Sequence, residues 1–302
     1  MIQGLIYALI SATAFASLPI LVKFGYATGM DGAVMMQYRF SYAAFFLFIF
    51  MLIKDRSLFR ISLLNLGKCA FLGTVVYWGQ TTCFVQALAT IPASTTSLIL
   101  YGYPVVVTLA SALFFKTRLN SIIIISLAMV MSGCCLVFFD AFLREVDPVG
   151  LAYAFGSMAI FSAYLILTQV LLKDLKPLTA TFYAILFAAI AFTISGDVSA
   201  WFHLSGIQVL ISLALGLFPG ILAVALLYQA IEKIGCAYTS IFSSVEPVVT
   251  LAAAAAFLGE NIVLLQIGGI ALILIGIIFP NLRLGQPPIK QPPIKHTTSS
   301  LN

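Results

Sequence analysis

Residues 4–15 read GLIYALISATAF and residues 150–161 read GLAYAFGSMAIF, so sliding the chain by 146 positions superimposes Gly4 on Gly150, Tyr7 on Tyr153, Ala8 on Ala154, Ser11 on Ser157 and Phe15 on Phe161. A slide of 143 then carries residues 72–133 onto 215–276 with sixteen identities and no gap. Among them are Gly73 with Gly216, Gln86 with Gln229, Thr96-Ser97 with Thr239-Ser240, and Pro104-Val105-Val106 with Pro247-Val248-Val249. The chain reads as a duplicated unit.

The unit is built for a bilayer. Hydrophobic residues make up 62% of the 302, charged residues 8%, and mean hydropathy is +1.11, which leaves too little polar surface to cover a soluble globule. Apolar runs long enough to cross roughly 30 Å of hydrocarbon recur at 3–24, 33–53, 69–90, 94–115, 121–139, 149–171, 178–196, 207–231, 236–258 and 262–282. The expected fold is therefore all-α and integral to the membrane, with ten transmembrane helices in two five-helix repeats, 1–140 and 148–284. Residues 285–302, Pro-rich and of low complexity, read as a disordered cytoplasmic tail. The first run follows only Met1-Ile2-Gln3, without a basic flank or a small-residue cleavage site, and reads as a retained helix.

Five is odd, so the second repeat enters the membrane from the opposite side to the first. The loops agree: KDRSLFR after the second run is matched by SGDVSAWF after the seventh, and FKTRLN by LGENIV. With both termini cytoplasmic, twelve of the fifteen Lys and Arg residues lie inside and only Lys23, Arg39 and Arg144 outside. Acidic residues Asp31, Asp140, Glu145, Asp147, Asp197 and Glu260 fall outside. The formal charge of +5 thus reflects topology, and no nucleic-acid partner is expected. Inverted repeats mark secondary transporters, whose site lies near the midplane between the halves.

Glu246 sits in the middle of CAYTSIFSSVEPVVTLAAAAAFL, where a charge is costly and faces protein or water. Thr239, Ser243, Glu246 and Thr250 share a helical face, and Pro247, like Pro104, frees backbone groups by bending its helix. Pro219 in GLFPG adds a third kink. Glu246 is expected to couple protons or touch substrate; the structural alternative is a carboxyl that only bonds neighbouring helices. Further candidates for the cavity are Tyr77, Trp78, Gln80 and Thr81 on the third span, Tyr101 and Tyr103 beside the proline, and Tyr153 and Ser157 on the sixth. Such aromatic walls with scattered hydroxyls suit a small amphipathic or zwitterionic solute. Gln86 and Gln229 read as helix-to-helix hydrogen-bonding residues. Arg39 and Lys23 read first as side chains snorkelling to headgroups, with Arg39 alternatively an outer gate or a contact for a substrate carboxylate. Five scattered cysteines and two isolated histidines, His203 and His296, support neither a disulfide framework nor a metal site, and no cofactor is expected.

The stretches SATAFASLPILVKFG, YRFSYAAFFLF, VEPVVTLAAAAAFLGENI and QIGGIALILIGIIF resemble the EamA-type members of the drug/metabolite transporter superfamily over residues 3–282. The resemblance implies a ten-helix carrier of the inner or plasma membrane that moves amino acids, nucleotide-type metabolites or other small organic solutes, often outward. It implicates Tyr77, Trp78, Tyr101, Tyr103, Ser243 and Glu246 in the cavity. The chain departs from many relatives at Ala16-Ser17-Leu18-Pro19, and its first half has Lys116-Thr117 where the second keeps Gly259-Glu260. An importer or exchanger of the same fold is the nearest alternative, and a polytopic membrane enzyme the more distant one, because no carboxylate pair lies at membrane depth.

Overall fold

The computed structural model describes residues 2–91, 93–116, 120–139, 143, 146–196, 204–258 and 262–282. The tail 285–302, both histidines, and Arg118, Asp140, Arg144, Glu145, Asp197 and Glu260 lie outside the described residues. The described chain is helical throughout, without strands. Its helices are α1 (Ile2–Ala27), α2 (Gly32–Lys54), α3 (Leu63–Phe71), α4 (Trp78–Thr90), α5 (Ala93–Leu100), α6 (Tyr103–Phe115), α7 (Ser121–Val137), α8 (Pro148–Leu171), α9 (Pro177–Ser195), α10 (Gly206–Leu215), α11 (Ala223–Ser243), α12 (Glu246–Leu258) and α13 (Leu264–Leu282). Two π-helical turns, Leu72–Tyr77 and Gly216–Leu222, join α3 to α4 and α10 to α11.

Polar residues stand where the helices start. Asp31, Ser62, Asn120 and Asp147 cap α2, α3, α7 and α8 by accepting backbone N–H groups, which removes orphan donors at the ends of otherwise apolar rods. Among the described residues, six helical stretches are long and apolar enough to cross a membrane: Ile2–Ala27, Gly32–Lys54, Thr95–Phe115, Pro148–Leu171, Pro177–Ser195 and Gly206–Ser243. Ser121–Val137, Glu246–Phe257 and Leu264–Ile278 are shorter apolar helices. Large apolar side chains such as Leu113, Ile194 and Leu63 point outward, as they do on surfaces that face hydrocarbon.

Small residues let helix backbones approach. Gly133 of α7 and Gly269 of α13 each leave room for the other's carbonyl, since a Cβ on either would lie 2.7 Å from that oxygen. Gly73, in the first π-turn, packs the same way on α9, where a Cβ on it would lie 2.5 Å from Ala184 O. Side chains tie distant segments: Ser11 Oγ donates to Ala223 O at 2.7 Å, Thr179 Oγ1 to Leu58 O at 2.9 Å, and Tyr183 Oη to Phe59 O at 2.8 Å. Two surface tethers sit at opposite ends of the bundle. Lys68 Nζ bonds Asp174 at 2.9 Å, and Gln208 Nε2 donates to Thr28 O at 2.9 Å.

The predicted proline kinks prove to be breaks. The 94–115 run stops at Tyr101-Gly102 and restarts as α6, and the 236–258 run stops at Ser244-Val245 and restarts as α12. Both prolines occupy the second position of the new helix, where the missing N–H removes no helical bond. The breaks are 143 residues apart, as are Gly73 and Gly216 in the two π-turns.

Candidate functional site

A cavity of about 80 Å³ lies between α1, α2, α4, the α5–α6 break and α12, on the side of the bundle where α1 ends and α2 begins. Of the residues expected there, Tyr77, Gln80, Thr81, Tyr101, Tyr103, Glu246 and Arg39 line it. Glu246 arrives as the first residue of α12, where the partial positive charge of a helix N-terminus favours a carboxylate. The Tyr101 hydroxyl and the Arg39 guanidinium are the groups that act on that carboxylate.

Arg39 corrects an expectation. It is 2% exposed, so it does not snorkel to headgroups. Its Nη2 donates to Pro219 O at 2.8 Å and, more weakly, to Tyr77 Oη at 3.3 Å. The Pro219 carbonyl is free to accept because the π-turn sends the Ala223 N–H to Phe218 O, five residues back, instead of to Pro219 O, four back. One guanidinium therefore fastens the two π-turns, while its Nε makes no hydrogen bond within the protein. Pro219 thus acts as the source of a carbonyl ligand as much as a kink. Lys23 is exposed.

Four other candidates stand off the cavity. Ser157 accepts from Gln80 Nε2 at 3.1 Å and so supports a lining residue from behind, with Thr81 Oγ1 donating to Gln80 Oε1 at 3.3 Å. Ser243 is buried next to Tyr103. Trp78 turns to α9, donating Nε1–H to Ser195 Oγ at 3.1 Å, because one helical position separates it from the face that Tyr77 presents. Tyr153, one turn before Ser157, is 38% exposed on the outer face of α8. Gln86 is exposed and Gln229 lines a second cavity, so the interhelical amide contacts are made instead by Gln80, by Gln169 to the Cys236 N–H, and by Gln266 to Val137 O.

Residue reasoning passed over Phe15, Met36 and Phe161 as lining residues. Phe15 and Phe161 were visible as repeat partners, which was the available signal. Below the cavity, Tyr77 packs on Tyr164 with centroids 4.8 Å apart, and the Tyr164 and Tyr228 hydroxyls are hydrogen-bonded at 2.8 Å. The site thus presents one fixed cation, one carboxyl and an aromatic wall around a small cavity.

The family described as the EamA-like transporter family matches residues 2–139 and again 148–282. A Bacillus subtilis (strain 168) protein named uncharacterized transporter YcbK is 23% identical over 296 residues, spanning 94% of this chain and 95% of its own. A solved crystal structure shares the fold with a TM-score of 0.78 at 17% identity, covering 92% of this chain and 96% of that one.

Proposed function

The chain belongs to the EamA-like transporter family, and from that premise we propose that it is a secondary carrier that exports a small amphipathic or zwitterionic metabolite by alternating access. In this reading ten crossings form two inverted five-helix repeats, with both termini on the cytoplasmic side of the inner or plasma membrane. The paired family matches support it, as do the helix breaks and π-turns that recur at one sequence offset.

The observation that carries the proposal is Arg39 and Glu246 facing one cavity that the α5–α6 break also lines. A guanidinium held by a carbonyl and a phenol through Nη2 offers N–H donors on its other nitrogens to a carboxylate, and the opposing carboxyl accepts an ammonium or a proton. At about 80 Å³ the cavity holds only a few waters. Small-molecule sites occupy roughly 300–1,000 Å³, so loading requires the helices around the breaks to part.

Counterflow of labelled amino acids and nucleotides into proteoliposomes tests the carrier, because only alternating access gives uptake stimulated by solute on the opposite side. Glu246→Gln tests its coupling. Transport by this variant is expected to lose its response to an imposed pH gradient; an unchanged rate and pH profile would remove Glu246 from the coupling step.

A further inference from the structure

At the end of the bundle opposite the central cavity, a groove of about 800 Å³ runs between α2, α9 and α11. It shares no lining residue with the central cavity. Between the two, α2 presses on the second π-turn, where a Cβ on Gly216 would lie 2.8 Å from Tyr42 Cβ and one on Gly220 would lie 3.1 Å from Ala43 Cβ.

The groove has the polarity profile of an amphiphile. Its wall is apolar, with Leu47, Phe50, Leu222 and Leu226 among its residues, and Phe50 and Leu222 are 48% and 39% exposed on helices that are apolar enough to span a membrane. Its mouth carries Lys54, Lys176 and Lys233. Two of these ammonium groups are held over aromatic rings of the groove itself, Lys54 Nζ 5.2 Å from the Phe50 centroid and Lys233 Nζ 5.9 Å from that of Tyr7. Asp55 and Glu232 also line it, which leaves the three lysines a net charge of +1, and the Asp55 carboxylate accepts the Ser57 N–H at 2.8 Å and the Ser57 hydroxyl at 2.6 Å while also lying near Lys176. From Phe46 to Lys54 the wall descends about 12 Å along α2, at 1.5 Å per residue.

We infer that this groove binds an anionic phospholipid of the adjoining leaflet, its phosphate between the three lysines and one acyl chain along the α2–α11 wall. Basic recesses between membrane helices recognise anionic headgroups by this combination of charge and depth, whereas a zwitterionic headgroup brings its own cation to the lysines. The site depends on the chain crossing a bilayer and not on the identity of the transported solute.

The test uses the full-length protein in detergent, with phosphatidylglycerol and phosphatidylcholine of identical acyl chains, read by thermal unfolding and by native mass spectrometry. Phosphatidylglycerol is expected to be retained in preference and to raise the melting temperature more. Lys54→Gln, Lys176→Gln and Lys233→Gln should each lower that preference by about five-fold. Leu226→Trp, which fills the wall without altering charge, should lower retention of both lipids. Lys23→Gln, an exposed lysine that does not line the groove, should change nothing. Equal binding of the two lipids, or a preference that survives all three lysine substitutions, would overturn the assignment. So would an equal thermal shift with soluble glycerol phosphate, which would make the ligand a free phosphate.

Discussion

Arg39 shows what a single side chain can hide in a sequence. Its position near one end of an apolar run was legible, and so was its rarity; its partner was not. The Pro219 carbonyl lies 180 residues away and becomes an acceptor only because a helix widens by one residue there, while GLFPG reads on the page as no more than a close-packing motif. Arg39→Lys keeps the charge but loses the fork that reaches Pro219 and Tyr77 together. It should lower stability by about 1.5–3 kcal/mol, the range for a hydrogen bond to a charged group, in denaturant unfolding of the purified protein. Tyr77→Phe, which removes only the longer contact, should cost about 0.5–1.5 kcal/mol. Glu246 was the most legible residue of the candidate site, since a carboxylate in an apolar run has few reasons to be there. Trp78 and Tyr153 misled because aromatic residues in a membrane helix look alike from sequence whichever way they face.

The helices themselves were largely readable from apolar run lengths, and the interruptions were readable from Pro104 and Pro247. What sequence could not distinguish was a bend from a break. A proline in the middle of a run bends it, but one in the second position of a fresh helix starts it, and the difference depends on whether the preceding turn finds other partners. Gly235 marks a further discontinuity, inside α11, with φ 76° and ψ 162°, a region open essentially to glycine alone. Gly235→Ala should destabilise by about 1–3 kcal/mol. Gly73→Ala should do likewise by about 1–3 kcal/mol, because its Cβ would meet the α9 backbone. Gly79→Ala, with nothing within 4 Å of the new carbon, should instead be neutral or slightly stabilising, and thermal unfolding of the three variants separates these outcomes. Outside the membrane, Asp55 caps the short 3₁₀ turn Arg56–Phe59, and the hydroxyl and N–H of Ser57 hold its pKa below the ordinary 3.8. That stabilisation is present above the unfolded pKa and is lost as pH falls through the lower folded value, so faster hydrogen exchange at the Ser57 amide is expected only below about pH 3.8.

For the molecule as a whole, duplication was the legible feature and contact between distant segments was not. Lys68 reads simply as a basic loop residue, and nothing in its surroundings announces Asp174, 106 positions on. Yet Asp174 and Thr28 are 146 residues apart, the offset that superimposes the first helices of the two repeats, and each is gripped from another helix, by Lys68 in the last turn of α3 and by Gln208 in the first turn of α10. The ionic member is 36% and 45% exposed at its two side chains, so a double-mutant cycle on Lys68 and Asp174 should return a coupling of about 0.2–1 kcal/mol that fades with added salt. The amide-to-carbonyl member carries no net charge and should hold through the same titration. Brine therefore loosens one rim of the bundle and spares the other: raising ionic strength tilts the molecule toward parting on the Lys68 flank, and thiol-reagent access to cysteines introduced at each rim would record that lopsided response.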